Sequence, residues 1–174
     1  FLKIIRLLIE RRSTFAMFGG VRFGGTITLD QAWAMGFDHV ALAMGAGKPT
    51  LLDMPGGLAK GVRMASDFLM ALQLTGAAKT DSIANLQLRL PAVVVGGGLT
   101  AIDTATEAMA YYPVQVEKFL SRYETLAAET SEAALRAQWS PTELEIVDEF
   151  LNHARLIRAE RRRALADGTA PRIS

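Results

Sequence analysis

Apolar residues return every three or four positions at the start of the chain. In FLKIIRLLIERR, Phe1, Ile4, Ile5, Leu8 and Ile9 share one face. That spacing predicts a short amphipathic helix, expected to pack on a sheet. In TFAMFGGVRFGGTIT, short apolar and β-branched runs are broken by Gly19-Gly20 and Gly24-Gly25, the punctuation of a hairpin or small meander. Asp30 to Met35 predicts a single helical turn. Asp38 to Met44, within FDHVALAMGAG, is a compact apolar run stopped by Gly45 and Gly47, the pattern of a strand buried on both faces.

KPTLLDMPGGLAKGV is rich in proline and glycine and predicts a long surface connection. Ala65 to Leu74 reads as a helix burying Phe68, Leu69 and Leu72, with Gly76 to end it. From Pro91 the pattern becomes strand, glycine turn, helix in AVVVGGGLTAIDTATEA. Ala101, Ile102, Ala105, Ala108 and Met109 fall on one helical face, whose small residues allow close packing on strands. Beyond Pro113 the chain reads as largely helical, with Phe119, Tyr123 and Leu126 in one stripe. In SPTE, Ser140 caps, Pro141 fits the first helical position and Glu143 reaches back to the cap amide. That helix is expected to run to about Ala166, with Asp167-Gly168 as its stop. The fold class so predicted is α/β, with Rossmann-like parallel sheet units followed by C-terminal α-helices.

At 174 residues the chain can hold one domain or parts of two smaller ones. Half its residues are apolar, which excludes a disordered tail. A net charge of +1 gives no field for nucleic acid or an anionic membrane. The absence of cysteine removes disulfides, thiolate metal sites and iron-sulfur ligands. The uncharged run Leu90 to Ile102 is shorter than the roughly 20 residues of a membrane span. Lys3, Arg6 and Glu10 interrupt the opening apolar run, unlike a secretory signal, so the opening helix reads as the middle of something longer. A cytoplasmic location is the expectation.

The glycine turn carries the candidate chemistry. In a dinucleotide-binding unit the first glycine permits the sharp turn, the second admits the pyrophosphate, and a small third residue lets helix and strand pack closely. Gly96, Gly98 and Ala101 stand in those places. The phosphates would meet the unpaired amides of a helix N-terminus. The alternative is a bare tight bend, and the nucleotide reading requires a strand running into a helix. GAGKPT is not a P-loop, because Pro49 stands where Ser or Thr should hold magnesium and no glycine precedes Gly47 at the required spacing; Lys48 reads as a solvated loop lysine.

DHVALAMGAGKPTLLDMPGGLAKGV resembles a segment of flavin-dependent pyridine nucleotide oxidoreductases of the glutamate synthase small-subunit type. There, a strand ending in an Ala-Thr-Gly-Ala-like motif precedes a Pro-rich loop, an Ile-Pro-Gly step and a Lys-Gly-Val. VVVGGGLTAIDTATEA is similar to the family's second, NADPH-binding glycine turn. The resemblance spans roughly Phe15 to Ala110. It implies that Gly45 lies near FAD, and that Gly96, Gly97, Gly98, Thr100 and Ala101 hold the pyrophosphate of NADP or NAD. It further implies hydride transfer from NAD(P)H to FAD and electrons passed onward, to the remainder of the flavoprotein or an electron-acceptor subunit. Residues 1–80 would be the late part of an FAD-binding domain, 81–112 the start of an NAD(P)-binding domain and 113–174 a helical extension. Met44 stands where the family has Thr, and the first FAD fingerprint would lie upstream of Phe1, so the segment alone is expected to be inactive.

The choice between NAD and NADP stays open. Glu117 lies near the offset of a ribose-binding acid, but the same residues read as a helix start that leaves Glu117, Lys118 and Arg122 solvated. His39 and His153 lack companion motifs, Asp103 and Glu107 lack a partner, and Asp148 with Glu149 reads as facing water; no catalytic or metal-binding residue is assigned. Arg155, Arg158, Arg161, Arg162 and Arg163 complement a helix C-terminus and read as solvated or subunit-facing. Trp33 and Trp139 read as packing residues. The competing function is a catalytically silent, Rossmann-like interaction module that docks a partner through its C-terminal helices.

Overall fold

The computed structural model describes residues 2–45, 49 and 51–173. The chain divides into two compact units, Phe1–Lys48 and Pro49–Ser174.

In the first unit, α1 (Leu2–Glu10) follows the predicted periodicity and carries an Arg6–Glu10 ion pair at 2.7 Å, one turn apart. Its apolar side chains meet no sheet: Ile4, Ile5, Leu7 and Leu8 are exposed. α2 (Leu29–Ala34) starts at a capping box, in which the Gln31 N–H donates to the Thr28 hydroxyl and the Thr28 N–H donates to the Gln31 side chain. The expected hairpin reduces to one bridge, Phe23 to Ile27, around a turn that Gly24 makes at a φ of 84°. Nor does Asp38 to Met44 form a buried strand; Leu42 and Met44 are exposed. An apolar run becomes a strand only where neighbouring strands take up its N–H and C=O groups, and none does so here among the described residues.

The second unit contains α3 (Ala65–Leu74), α4 (Leu99–Glu129), α5 (Glu132–Arg136) and α6 (Pro141–Asp167). No sheet forms among the described residues, so the expected α/β, Rossmann-like arrangement is corrected to a helical one. The local start and stop signals hold. α3 ends in a Schellman turn, with Ala77 N–H donating to Leu72 O and Gly76 N–H to Gln73 O while Gly76 takes a φ of 60°. α6 starts at the Ser140–Glu143 capping box and stops at Gly168, whose φ is 64°.

α4 is the spine of this unit and passes through Pro113 without a break. Two stripes on it are buried. Tyr112, Val116, Leu120 and Tyr123 pack with Leu135 of α5 and with Ile146, Val147, Phe150, Leu151 and Ala154 of α6. Ala108 and Tyr111 pack with Phe68 and Leu72 of α3 and with Ala77. The expected outer members of the early stripe, Ile102 and Met109, are exposed, because α3 covers only the side that carries Ala108 and Tyr111. Among the described residues no helix is long and apolar enough to cross a membrane.

Leu120 is 0% exposed, whereas Leu165 near the end of α6 is 84% exposed. Leu120→Ala is expected to lower the free energy of unfolding by about 2–5 kcal/mol. Leu165→Ala should change it by no more than about 0.5 kcal/mol. Urea denaturation of both variants measures the contrast.

Candidate functional site

The glycine turn is half of what the sequence predicts. α4 does begin directly after Gly98, which caps it through its carbonyl alone: Ala101 N–H and Ile102 N–H donate to Gly98 O at 3.0 and 3.2 Å. The strand before it is absent; Val93 and Val95 are exposed and unpaired in an irregular segment. Gly96 takes a φ of 144° and lies so close to the first helical turn that an added Cβ would stand 3.1 Å from Ala101 Cβ. Gly97 and Gly98 face open space, and the Thr100 carbonyl accepts from the Thr104 hydroxyl at 2.7 Å. Gly45 belongs to the first unit, at a φ of 68°. Gly47 and Lys48 lie outside the described residues.

A different set of side chains is brought together by α4. Tyr111, Gln115, Lys118 and Arg122 recur at four-, three- and four-residue steps and project toward the segment 77–88, where they meet main-chain groups. Leu86 N–H donates to Tyr111 Oη at 2.6 Å, and that hydroxyl lies 3.2 Å from both Leu86 O and Asn85 Oδ1. The Gln115 amide takes both main-chain groups of Leu88, accepting from its N–H at 2.7 Å and donating to its carbonyl at 2.9 Å. Lys118 Nζ donates to Ala77 O at 2.9 Å and Ala84 O at 2.7 Å. Arg122 donates to Ser82 O and Ile83 O.

This overturns the expectation of solvated Lys118 and Arg122. Lys118 is 6% exposed, and burial, with Arg122 nearby, pulls its ammonium below the usual lysine range. Gln115 is 0% exposed, and its amide substitutes for a neighbouring strand at Leu88. The geometry suits an extended chain: Tyr111 and Gln115 are about 6 Å apart along the helix axis, and Leu86 and Leu88 about 6.6 Å apart in an extended segment. The missed signal was the regular recurrence of long polar side chains on a helical face that also carries Ala108.

A groove of about 320 Å³ runs beside this segment. Asn85, Leu86 and Gln87 line one wall; Phe119, Trp139 and Ile146 are among the apolar residues that line the rest. Trp139 is partly buried and stacks on Tyr123, with ring centroids 6.2 Å apart.

Further along α6, Tyr112 Oη meets His153 Nδ1 at 2.6 Å, and Arg89 donates to Glu149. Glu149 is thus paired rather than turned to water, while its second carboxylate oxygen is buried without a partner among the described residues. Burial, and then the Glu149 charge, push the Tyr112 phenol up to about 12. Asp148 pairs with Arg136. Two of the clustered arginines join α6 to α4: Arg158 binds Glu124 at 2.7 and 2.9 Å, and Arg161 binds Glu117 at 2.7 and 3.1 Å. No cluster of His, Asp and Glu suited to a metal ion occurs among the described residues.

No family model matches the chain. It is similar to a protein of Rickettsia prowazekii (strain Madrid E) described as uncharacterized protein RP006, with 43% identity over 157 residues, 90% of this chain and 21% of that protein. The chain therefore spans about a fifth of the length of the relative it matches. No solved structure matches. No family model matches, the relative is uncharacterized and no sheet forms among the described residues, which contradicts the resemblance to glutamate synthase-type pyridine nucleotide oxidoreductases and the Rossmann and flavoprotein descriptions with it.

Lys118→Met leaves two carbonyls without their charged donor and is expected to cost about 2–4 kcal/mol of stability by urea denaturation. Tyr112 should ionise near 12 in a spectrophotometric titration, and Tyr112→Phe should remove that step. A phenol raised in the folded state favours folding while neutral, so this contribution is present below the ordinary tyrosine value of 10.0 and is lost as pH rises from there through about 12.

Proposed function

We propose that the chain is a catalytically silent interaction module that docks a partner through its C-terminal helical unit. The observation behind this reading is the groove between residues 85–87 and the α4–α6 pair, with aromatic and aliphatic side chains beside the main-chain groups of Asn85 and Gln87, which have no hydrogen-bond partner among the described residues. Clefts that combine apolar lining with a few fixed polar groups are the usual form of a binding surface. The polar side chains that reasoning from composition leaves in solvent are engaged in holding one wall of the groove in place. Such a scaffold keeps its shape before the partner arrives, which lowers the ordering cost of association.

A second reading is favoured by the open backbone at Gly97 and Gly98 ahead of α4. In it, the free amides at the first turn of α4 hold a phosphate of NADP or NAD without the strand that a dinucleotide-binding unit would place before the turn. The two readings separate by stability. A ligand that binds only the folded chain at a concentration 100 times its Kd adds about 2.7 kcal/mol. Under the docking reading, NADPH, NADH and FAD leave the melting temperature unchanged. A photo-crosslinking residue at position 87 then joins the chain to a discrete protein partner, while the same residue at exposed position 165 does not. A clear rise in melting temperature with NADPH, abolished by Gly98→Val, establishes the nucleotide reading instead.

A further inference from the structure

In an extended segment, alternate residues turn their N–H and C=O groups to opposite edges. One edge of the segment along α4 is filled: both main-chain groups of Leu86 and Leu88 and the carbonyl of Ala84 are bonded to side chains of α4. The residues between them tell the other half. Among the described residues, the main-chain N–H and C=O groups of Asn85, Gln87 and Arg89 have no hydrogen-bond partner. Gln87 and Arg89 are exposed. Such a row of donors and acceptors matches the backbone of another extended chain.

The groove beside this edge supplies side-chain recognition. Phe119, Trp139, Ile146 and Phe150 give it an apolar lining. Its two charged residues differ in what they have left to offer. The Glu143 carboxylate is tied back to the α6 cap, its Oε2 accepting from both the N–H and the hydroxyl of Ser140. Arg122 bonds only carbonyls and has no carboxylate partner among the described residues. A guanidinium has five N–H donors, so Arg122 retains capacity for an anionic side chain.

We infer that the open edge at Asn85, Gln87 and Arg89 takes an extended peptide as an added strand, with an apolar peptide side chain in the adjacent groove and an acidic one against Arg122. The inference rests on the docking reading above and names the partner's chemistry. Main-chain bonds supply affinity in this mode, and the alternate side chains of the peptide supply the choice of sequence.

The test uses the full chain, labelled with ¹⁵N, and a panel of acetylated, amidated hexapeptides that alternate Val or Leu with polar residues and carry one Asp. Binding at about millimolar Kd or tighter, with amide shifts concentrated at Gln87 and Arg89, is the expected result. Methylating the peptide nitrogens that face the edge should weaken binding about tenfold, because donors are removed without changing side chains. Exchanging the Asp for Asn should weaken it several-fold at low salt, and the difference should shrink at high salt. These changes are in the ligand, so folding of the protein is not at issue. Equal binding by the methylated peptides, or no binding by any member of the panel, overturns strand addition. Amide shifts at Gln87 that depend on protein concentration alone overturn it in favour of a second copy. In either case the crosslinking experiment at position 87 still judges the docking reading by itself.

Discussion

The second unit depends on how α4 answers the hydrogen-bonding demand of the segment 82–88. Main-chain groups that leave water must find partners, and the usual solution is a ladder of strands. Here Tyr111, Gln115, Lys118 and Arg122 take that part, each meeting carbonyls or N–H groups of the segment. The arrangement concentrates polar chemistry on one stripe of α4 and leaves the stripe of Tyr112, Val116, Leu120 and Tyr123 free to bury apolar surface against α5 and α6. Removing one polar member exposes an unmet demand at a buried position, which costs more than the bond itself contributes.

Two kinds of order therefore meet on one helix. Apolar packing on the α6 side is tolerant of small shifts, whereas the bonds to 82–88 are directional and fix where the segment lies. That segment in turn sets one wall of the groove, so the shape of the candidate docking surface follows from side chains that do not themselves line most of it. Arg122 is the exception: it holds the wall and also borders the opening.

What could be read from the sequence was local. The Ser140–Glu143 capping box, the Gly168 stop, the span of α3 and the turn at Gly76 all depend on residues within a few positions of one another, and each was legible. The strands at Asp38 to Met44 and before Gly96 were not secure, because an apolar run specifies a strand only together with distant neighbours. The glycine turn shows the division sharply: the helix after Gly98 was foreseen and the strand before it does not form. Lys118 misled for the converse reason. A lysine on a helix ordinarily faces solvent, and only the fold reveals that two carbonyls, from Ala77 and Ala84, converge on its position. The paired glycine-containing segments carried a family resemblance on the same local grounds, and the described residues form no sheet to support it.

The pairs Arg158–Glu124 and Arg161–Glu117 have a consequence of their own. Standing at the rim and partly hydrated, they add little to the energy of packing. Yet sliding α6 along its axis by one turn, about 5.4 Å, would part both at once. They act as a vernier on the two longest helices, rejecting neighbouring alignments that the greasy contacts alone would accept. Since Ile146 and Phe150 ride on that same sliding element, this choice of alignment also sets how wide the mouth of the cleft stands.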